Sequence, residues 1–233
     1  MPAEQNPTMI RFARHLSIAW TLMLGLASLL ASASAHATEK RDGAVGLYRL
    51  TGVQDAASML EITADGRWRY GLSYGALDEE GDGRWRRDGG RLLLDTDPRP
   101  VPPAFTQHAV RWLDQPEMRV LVVGPGGRGI AGIDIVVRFD RGDPVAGYTQ
   151  QDGWSMALPP DRRPVAVVLS LDMFGVAGSK FAVDAARGND LEFLFTPNDL
   201  GRPDFRDLPV EVEGDALVML RDGARLRYVR VKD

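Results

Sequence analysis

The sequence predicts an all-β protein, and two observations lead to this prediction. From residue 44 onward, apolar side chains recur at alternate positions, which is the spacing of a strand with one buried face and one wet face. Paired turn residues interrupt the alternation, and an Asp-Gly pair between two apolar runs is a strong signal for a β-hairpin. Only residues 106–112 and 180–186 have a helix-like pattern. The expected turns are Asp65-Gly66, Asp88-Gly89, Asp152-Gly153, Asp222-Gly223 and Glu213-Gly214-Asp215.

The first 37 residues are predicted to be a secretory signal peptide. Arg11 and Arg14 supply positive charge, residues 16–31 are mostly apolar, and residues 35–37 (Ala-His-Ala) fit a signal-peptidase site. The alternative is an uncleaved membrane anchor, which normally needs about 20 consecutive apolar residues, and this run is shorter. We therefore expect cleavage after Ala37, a periplasmic or secreted protein, and no integral membrane segment in the mature chain.

The segment that follows alternates aromatic and basic residues. Trp68 and Tyr70 alternate with Arg67 and Arg69, and Trp85 lies between two further arginines. This pattern predicts strands with an aromatic inner face and a solvated arginine face. The apolar residues expected on the same inner face include Leu50, Leu60, Ile62, Leu92, Leu94, Val210 and Val212.

The middle of the chain has a different composition. Residues 97–103 are too rich in proline for a sheet interior and predict a stiff linker. After it, residues 129–133 (Gly-Ile-Ala-Gly-Ile), the alternating Ile135 and Val137, and Thr149 followed by Asp152-Gly153 resemble the transthyretin-like or Cna-B-type β-sandwich, also called the carboxypeptidase regulatory-like domain. The resemblance covers about residues 117–171. It implies a β-sandwich module, and such modules are mostly non-catalytic spacers or interaction domains.

The flanking segments, 42–105 and 188–233, are predicted to form one domain. The first offers about five strands and the second three or four, which together approach the eight strands of a small closed barrel. Closure would also remove the open edges that each segment has alone. The pair resembles a lipocalin-like β-barrel with the sandwich, residues 106–187, inserted into it. Two sequential domains divided near residue 105 are the alternative.

The inner face of this barrel is the candidate binding site. A barrel of eight strands either is filled by its own side chains or holds one small ligand, and an aromatic lining suits an apolar ligand. A filled core is therefore the alternative to a ligand cavity. The candidate ligand-binding residues are Tyr48, Trp68, Tyr70, Trp85, Phe193, Phe195 and Tyr228.

Three motifs match catalytic or ligand-binding patterns, but none has the required context. Residues 71–75 match G-x-S-x-G with Ser73 as nucleophile, yet a polar loop rather than a helix is expected to follow. Residues 124–129 match G-x-G-x-x-G, but a β-branched run follows instead of a helix. Residues 78–83 start like a calcium loop, and its twelfth position is Gly89 instead of glutamate.

Composition excludes further classes of function. The 233 residues contain no cysteine, which excludes disulfides, thiolate metal sites and a cysteine nucleophile. The net charge of −4 argues against a nucleic-acid partner, which normally calls for a basic surface. Two of the three histidines lie in the leader, which leaves His108. The transthyretin-like hydrolases need several histidines and a YRGS-type C-terminus, and this chain has neither.

The sequence therefore predicts an exported, non-enzymatic binding protein without a metal or cofactor. Arginine outnumbers lysine 25 to 3, which is typical of a bacterial genome rich in G and C and indicates the bacterial envelope. The expected partner is a small apolar ligand or another envelope component. A structural or protein-interaction module with a filled core is one alternative, and a serine hydrolase that uses Ser73 is another.

Overall fold

The structure is a computed structural model that describes residues 42–232, so the predicted signal peptide lies outside the described residues. Within the described range the chain forms sixteen strands and two short 3-10 turns, at Asp42–Ala44 and Asp172–Phe174. This confirms the predicted all-β class. The strands before residue 100 are β1 (Gly46–Thr51), β2 (Ala56–Ile62), β3 (Arg67–Tyr74), β4 (Leu77–Asp88) and β5 (Arg91–Thr96).

The remaining strands form a central group and a C-terminal group. The central group is β6 (Ala104–Arg111), β7 (Glu117–Val123), β8 (Asp134–Phe139), β9 (Val145–Tyr148), β10 (Trp154–Ala157), β11 (Pro164–Leu171), β12 (Val176–Ala182) and β13 (Asp190–Thr196). The C-terminal group is β14 (Leu208–Glu213), β15 (Ala216–Arg221) and β16 (Ala224–Arg230). The helix-like residues 106–112 and 180–186 lie largely in β6 and at the end of β12, because pairing with neighbouring strands overrides a weak local preference.

Eight strands close into a barrel, in the order β1-β16-β15-β14-β5-β4-β3-β2. Every neighbouring pair in this barrel is antiparallel. The β1–β16 ladder, in which Tyr48 faces Arg230, joins the two ends of the described chain. The β5–β14 ladder, in which Leu94 faces Leu208, joins the segment before the central strands to the segment after them. The eight-stranded barrel expected from the sequence is therefore present.

The five predicted turns connect consecutive strands, as expected. The turn at Asp65-Gly66 joins β2 to β3, and the turn at Asp88-Gly89 joins β4 to β5; both pairs are antiparallel neighbours. The turn at Asp152-Gly153 joins β9 to β10, which are edge strands of different sheets. At the β15–β16 turn, Asp222 and Gly223 have φ values of 51° and 77°. A positive φ at both central residues is what a type I′ hairpin requires, and glycine and aspartate tolerate it better than most residues.

The central strands form two sheets of four strands, with orders β10-β7-β13-β6 and β12-β11-β8-β9. One apolar cluster contains residues from both sheets, among them Val120, Val137, Val167 and Phe193, so the sheets pack face to face as a sandwich. β13 is parallel to β7 and antiparallel to β6. The barrel has a separate apolar cluster of its own.

The structure moves the predicted boundaries between barrel and sandwich. β13 was expected in the barrel segment 188–233, but it lies in the middle of a sandwich sheet. The alternation of Phe193 and Phe195 correctly indicates a strand with a buried face, yet alternation does not say which sheet the strand joins. The barrel strands end at Thr96 and resume at Leu208.

Two linkers connect the barrel to the sandwich, and they run side by side. The backbone N–H of Val101 donates to Asp199 Oδ2 at 2.7 Å, and Asn198 Nδ2 donates to the Pro102 carbonyl at 2.8 Å. Nearer the barrel, Arg99 pairs with Asp204 at 3.1 Å. The chain therefore leaves the barrel and returns to it at one place.

That the barrel folds without the sandwich remains a prediction. We expect a chain in which residues 104–196 are replaced by a short Gly/Ser linker to stay folded, because the two linkers already lie close together. Circular dichroism and a cooperative urea transition would test this expectation. A chain without β structure or without cooperative unfolding would contradict it, and would favour a sandwich on which the barrel depends.

Candidate functional site

Five of the seven candidate residues lie together inside the barrel: Tyr48, Trp68, Tyr70, Trp85 and Tyr228. None of them is more than 6% exposed. Their polar atoms have partners, since the Trp68 indole N–H donates to the Arg84 carbonyl at 2.9 Å and that of Trp85 to the Thr63 carbonyl at 3.0 Å. Buried indoles normally find such acceptors. The five residues are thus well-satisfied members of the barrel core.

The placement of Phe193 and Phe195 differs from the prediction. Both lie in the sandwich core, where Phe193 contacts Phe181 and Phe195 contacts Phe105, with ring centroids 4.8 and 4.9 Å apart. They share no cluster with the barrel aromatics because β13 pairs with β6 and β7. The predicted set of seven therefore divides between two cores.

Phe205 is a core residue that the sequence pattern did not indicate. It lies on the linker that returns to the barrel and packs against Trp68 and Tyr70, with centroids 5.3 and 5.5 Å away. Thr96 holds this linker, because its backbone N–H donates to the Phe205 carbonyl at 2.9 Å and its hydroxyl donates to the Pro203 carbonyl at 2.8 Å. The available signal was a lone phenylalanine between Asp204 and Arg206.

A partly buried ion pair lies beside Phe205 at this end of the barrel. Arg221 donates to both carboxylate oxygens of Glu79, at 2.5 and 2.7 Å, and to the Tyr70 hydroxyl at 3.0 Å. Its guanidinium carbon is 5.4 Å from the Phe205 ring centroid. The hydrogen bond to Glu79 raises the pKa of Arg221, which keeps the cation charged despite burial.

The other end of the barrel is closed by the segment that precedes β1. The Tyr48 hydroxyl donates to the Ala44 carbonyl at 3.0 Å. Arg230 stacks on the Tyr48 ring at 4.7 Å and donates to the Val45 and Gly43 carbonyls at 2.5 and 2.8 Å. Ala44 is itself fully buried. Segments of the protein's own chain therefore lie over both ends of the barrel.

The serine and histidine of the hydrolase hypothesis lie on different units. Ser73 is exposed on β3 and donates to Asp78 Oδ1 at 2.6 Å. His108 is exposed on the sandwich strand β6, and its Nε2 is 3.8 Å from Glu192 Oε1. Ser73 is followed by a hairpin into β4 rather than by a helix, so the strand–turn–helix geometry of a nucleophile elbow is missing at this serine.

The other two motifs are parts of ordinary β structure. The acidic run 78–83 lies within the long strand β4, so its side chains alternate between faces instead of converging. The glycine-rich run 124–129 forms the turn after β7, with a bridge between Val123 and Gly129. Across residues 42–232, the structure contains no group of three or more His, Cys, Asp or Glu residues placed to hold a metal ion.

A cavity of about 460 Å³ lies at one end of the sandwich. Three loops surround it: the β6–β7 loop (112–116), the β10–β11 loop (158–163) and the β12–β13 loop (183–189). Met118 and Leu191, which are almost completely buried, lie at its base. Its volume is within the range of small-molecule sites, about 300–1,000 Å³, and its lining is mostly apolar.

Asn189 fixes the β6–β7 loop beside this cavity. Its Nδ2 donates to the Glu117 and Gln115 carbonyls at 2.7 and 3.1 Å, and its Oδ1 accepts the Leu113 N–H at 2.7 Å. One side chain therefore replaces the backbone partners that this loop lacks. These three hydrogen bonds tie the loop that carries Trp112 to the β12–β13 loop.

Trp112 is the most exposed large apolar residue that lines this cavity. It is 65% exposed, although indole is among the largest apolar side chains and exposed tryptophans mark binding surfaces in many proteins. The sequence places Trp112 at the end of a helix-like pattern, residues 106–112, and gives no sign that three loops meet there.

Comparison with known proteins gives no family assignment. No family model and no curated protein matches the chain. Among solved structures, the C-terminal fragment of the pilus adhesin SpaC from Lactobacillus rhamnosus GG is 11% identical over 64% of this chain and 71% of that chain, with a TM-score of 0.25. A second SpaC structure is 13% identical over 67% of this chain and 23% of that chain, with a TM-score of 0.22. TM-scores this low carry no conclusion about fold or function.

In the part of the chain that the structure describes, no helix has the length and apolar character needed to cross a membrane.

Replacing Phe205 with alanine should destabilise the barrel. Phe205 is buried against Trp68 and Tyr70, so its removal leaves a cavity, and Phe→Ala changes in cores typically cost about 3–5 kcal/mol. Urea unfolding would measure the change. Tyr74→Ala, an exposed aromatic on β3, is the control and should change stability by less than about 0.5 kcal/mol. Equal effects of the two variants would contradict a sealing role for Phe205.

The buried tyrosines should make the fold sensitive to alkali. Burial raises the pKa of Tyr48, Tyr70 and Tyr228, so the folded state keeps these phenols neutral. Above about pH 10 the unfolded chain ionises its tyrosines, and stability falls as pH rises further. The urea midpoint should therefore drop between about pH 9 and 11, and less steeply in Tyr70→Phe. A midpoint that stays level over this range would contradict the argument.

Proposed function

We propose that this protein is an exported, non-enzymatic binding protein of the bacterial envelope that takes a small apolar ligand into the cavity at the end of its sandwich. Three features that occur together at this end of the sandwich support the proposal. A cavity of about 460 Å³ has an apolar base, a loop fixed by Asn189, and an exposed Trp112 at its rim. Concave apolar sites of this size are the usual form of a small-molecule site.

In this proposal the barrel is a scaffold and not the binding site. The five candidate aromatics inside it are buried and hydrogen-bonded or packed against neighbours, and Phe205 and Ala44 cover its two ends. A ligand inside the barrel would have to displace well-packed side chains. Displacing them costs more than filling a cavity that is already open.

The absence of catalysis in the proposal follows from the positions of the reactive residues. Ser73 and His108 lie on separate sheets, and Asp78, the partner of Ser73, is an exposed surface acid. A serine nucleophile needs a base within hydrogen-bond distance and donors for the oxyanion. Export is supported by the signal-peptide pattern of residues 1–37.

A fluorescent apolar probe tests the proposed site. N-phenyl-1-naphthylamine should bind to the exported protein with increased emission, and Trp112→Ala should weaken this binding about tenfold, because the variant loses the aromatic wall of the cavity. Tyr148→Ala is the matched control: Tyr148 is 61% exposed on the same sandwich but does not line the cavity, so its loss should leave binding unchanged.

Two results would contradict the proposal. If the probe does not bind, or if both variants bind it like the wild type, the cavity is not the site. If Phe205→Ala strengthens probe binding while Trp112→Ala has no effect, the probe enters the barrel, and the ligand site predicted from the sequence would replace the one proposed.

A further inference from the structure

The charged residues around the sandwich cavity are distributed unevenly. Arg162 and Arg163 line it from the β10–β11 loop, and Asp114 lines it from the β6–β7 loop. Two cations and one anion leave a net charge of +1 (2 − 1) on the lining. Both positive charges therefore belong to one loop of a mostly apolar cavity.

Arg162 is held in position by contacts that leave most of its donors free. Its guanidinium carbon lies 4.0 Å from the centroid of the Phe139 ring, and its Nη1 donates to the Asp143 carbonyl at 2.7 Å. A Cβ at Gly142 would lie 3.1 Å from Nη1, so any other residue there would require the guanidinium to shift by a few tenths of an ångström. A guanidinium has five N–H donors, and within residues 42–232 this one makes a single hydrogen bond. The remaining N–H groups of this guanidinium can therefore donate to an acceptor.

Arg163 supplies a second, more exposed cation. Its side chain is 80% exposed, and its Nε lies 3.7 Å from Asp140 Oδ2. Asp140 Oδ1 also accepts a hydrogen bond from the backbone N–H of Arg163 at 2.9 Å, and this hydrogen bond lowers the pKa of Asp140. Exposed ion pairs contribute only about 0–1 kcal/mol, so a ligand can compete for the guanidinium.

We infer that the cavity selects an apolar molecule that carries one anionic group, and this inference rests on the proposed function because it concerns the same site. The apolar body lies against Met118, Leu191 and Trp112, and Arg162 and Arg163 bind the anionic group. One negative charge offsets the net charge of +1 on the lining, and at Arg163 it competes with Asp140. Asp114 repels an anion from the opposite loop, so the molecule binds in one orientation. A planar guanidinium matches a carboxylate, sulfonate or phosphate group.

Decanoate and decan-1-ol form a matched pair for the test, because they share a chain length and differ in charge. Each competes with N-phenyl-1-naphthylamine for the wild-type protein. Decanoate should displace the probe at about three- to tenfold lower concentration than decanol, the range expected for a charge-assisted contact that is partly exposed to water. Raising the salt concentration should reduce this preference and leave decanol unaffected.

Variants assign the preference to the named charges. Arg163→Gln should reduce the preference for decanoate, and the double variant Arg162→Gln/Arg163→Gln should abolish it, while decanol binding stays unchanged. Asp114→Asn should tighten decanoate binding and leave decanol binding as it is. Arg138→Gln is the control, because Arg138 is exposed on the same sandwich and lines another part of its surface. Arg163 is exposed enough that its substitution should not disturb folding.

The outcomes separate the inference from the proposed function. If the probe binds and depends on Trp112, but decanol competes as well as decanoate, the proposed function stands and the anionic ligand is overturned. A preference for decanoate that persists in the double variant also overturns the inference of an anionic ligand. If the probe does not bind at all, both fail. Sedimentation with phosphatidylglycerol vesicles that depends on Arg163, without displacement by decanoate, would assign the cations to a membrane surface and overturn the inference.

Discussion

The closed barrel depends on bringing β14 back to β5 across a long intervening stretch of chain. The β5–β14 ladder joins Leu94 to Leu208, and the whole sandwich lies between them in sequence. The sandwich satisfies this constraint through its own pairing, because its first and last strands, β6 and β13, are antiparallel neighbours with Ala104 opposite Thr196. The chain therefore enters and leaves the sandwich at one point. The Thr96–Phe205 hydrogen bond extends the barrel ladder into the returning linker.

This arrangement is consistent with the buried aromatic core of the barrel and with the cavity at one end of the sandwich. The returning linker packs Phe205 against Trp68 and Tyr70, and the Glu79–Arg221 ion pair lies at the same end of the barrel. Among the described residues, no comparable side chain fills the end of the sandwich that carries the β6–β7, β10–β11 and β12–β13 loops. Three loops meet there around apolar side chains, and the space between them remains as a cavity. The cavity thus lies at the end of the sandwich away from the two linkers that connect it to the barrel.

The sequence predicts the local structure well and the long-range arrangement only in part. Asp-Gly pairs specify turns through backbone preference, and the alternation around Trp68 and Trp85 specifies which face is buried, since both are properties of neighbouring residues. The sheet to which β13 belongs depends on pairing with β6 and β7, which alternation does not encode. Phe205, Asn189 and Trp112 lie in loops, where no periodic signal exists. Their roles come from contacts with residues distant in the chain.

The pairing of β1 with β16 has a mechanical consequence. Tyr48 faces Arg230 in an antiparallel ladder, so the two ends of the described chain lie side by side at one edge of this pair. A force that pulls these ends apart separates the ladder one residue pair at a time, like a zipper, and meets little resistance. The sandwich branches from the barrel through paired linkers and lies off this line of force. It therefore carries no load until the barrel has opened, and its cavity keeps its shape under tension that unfolds its scaffold.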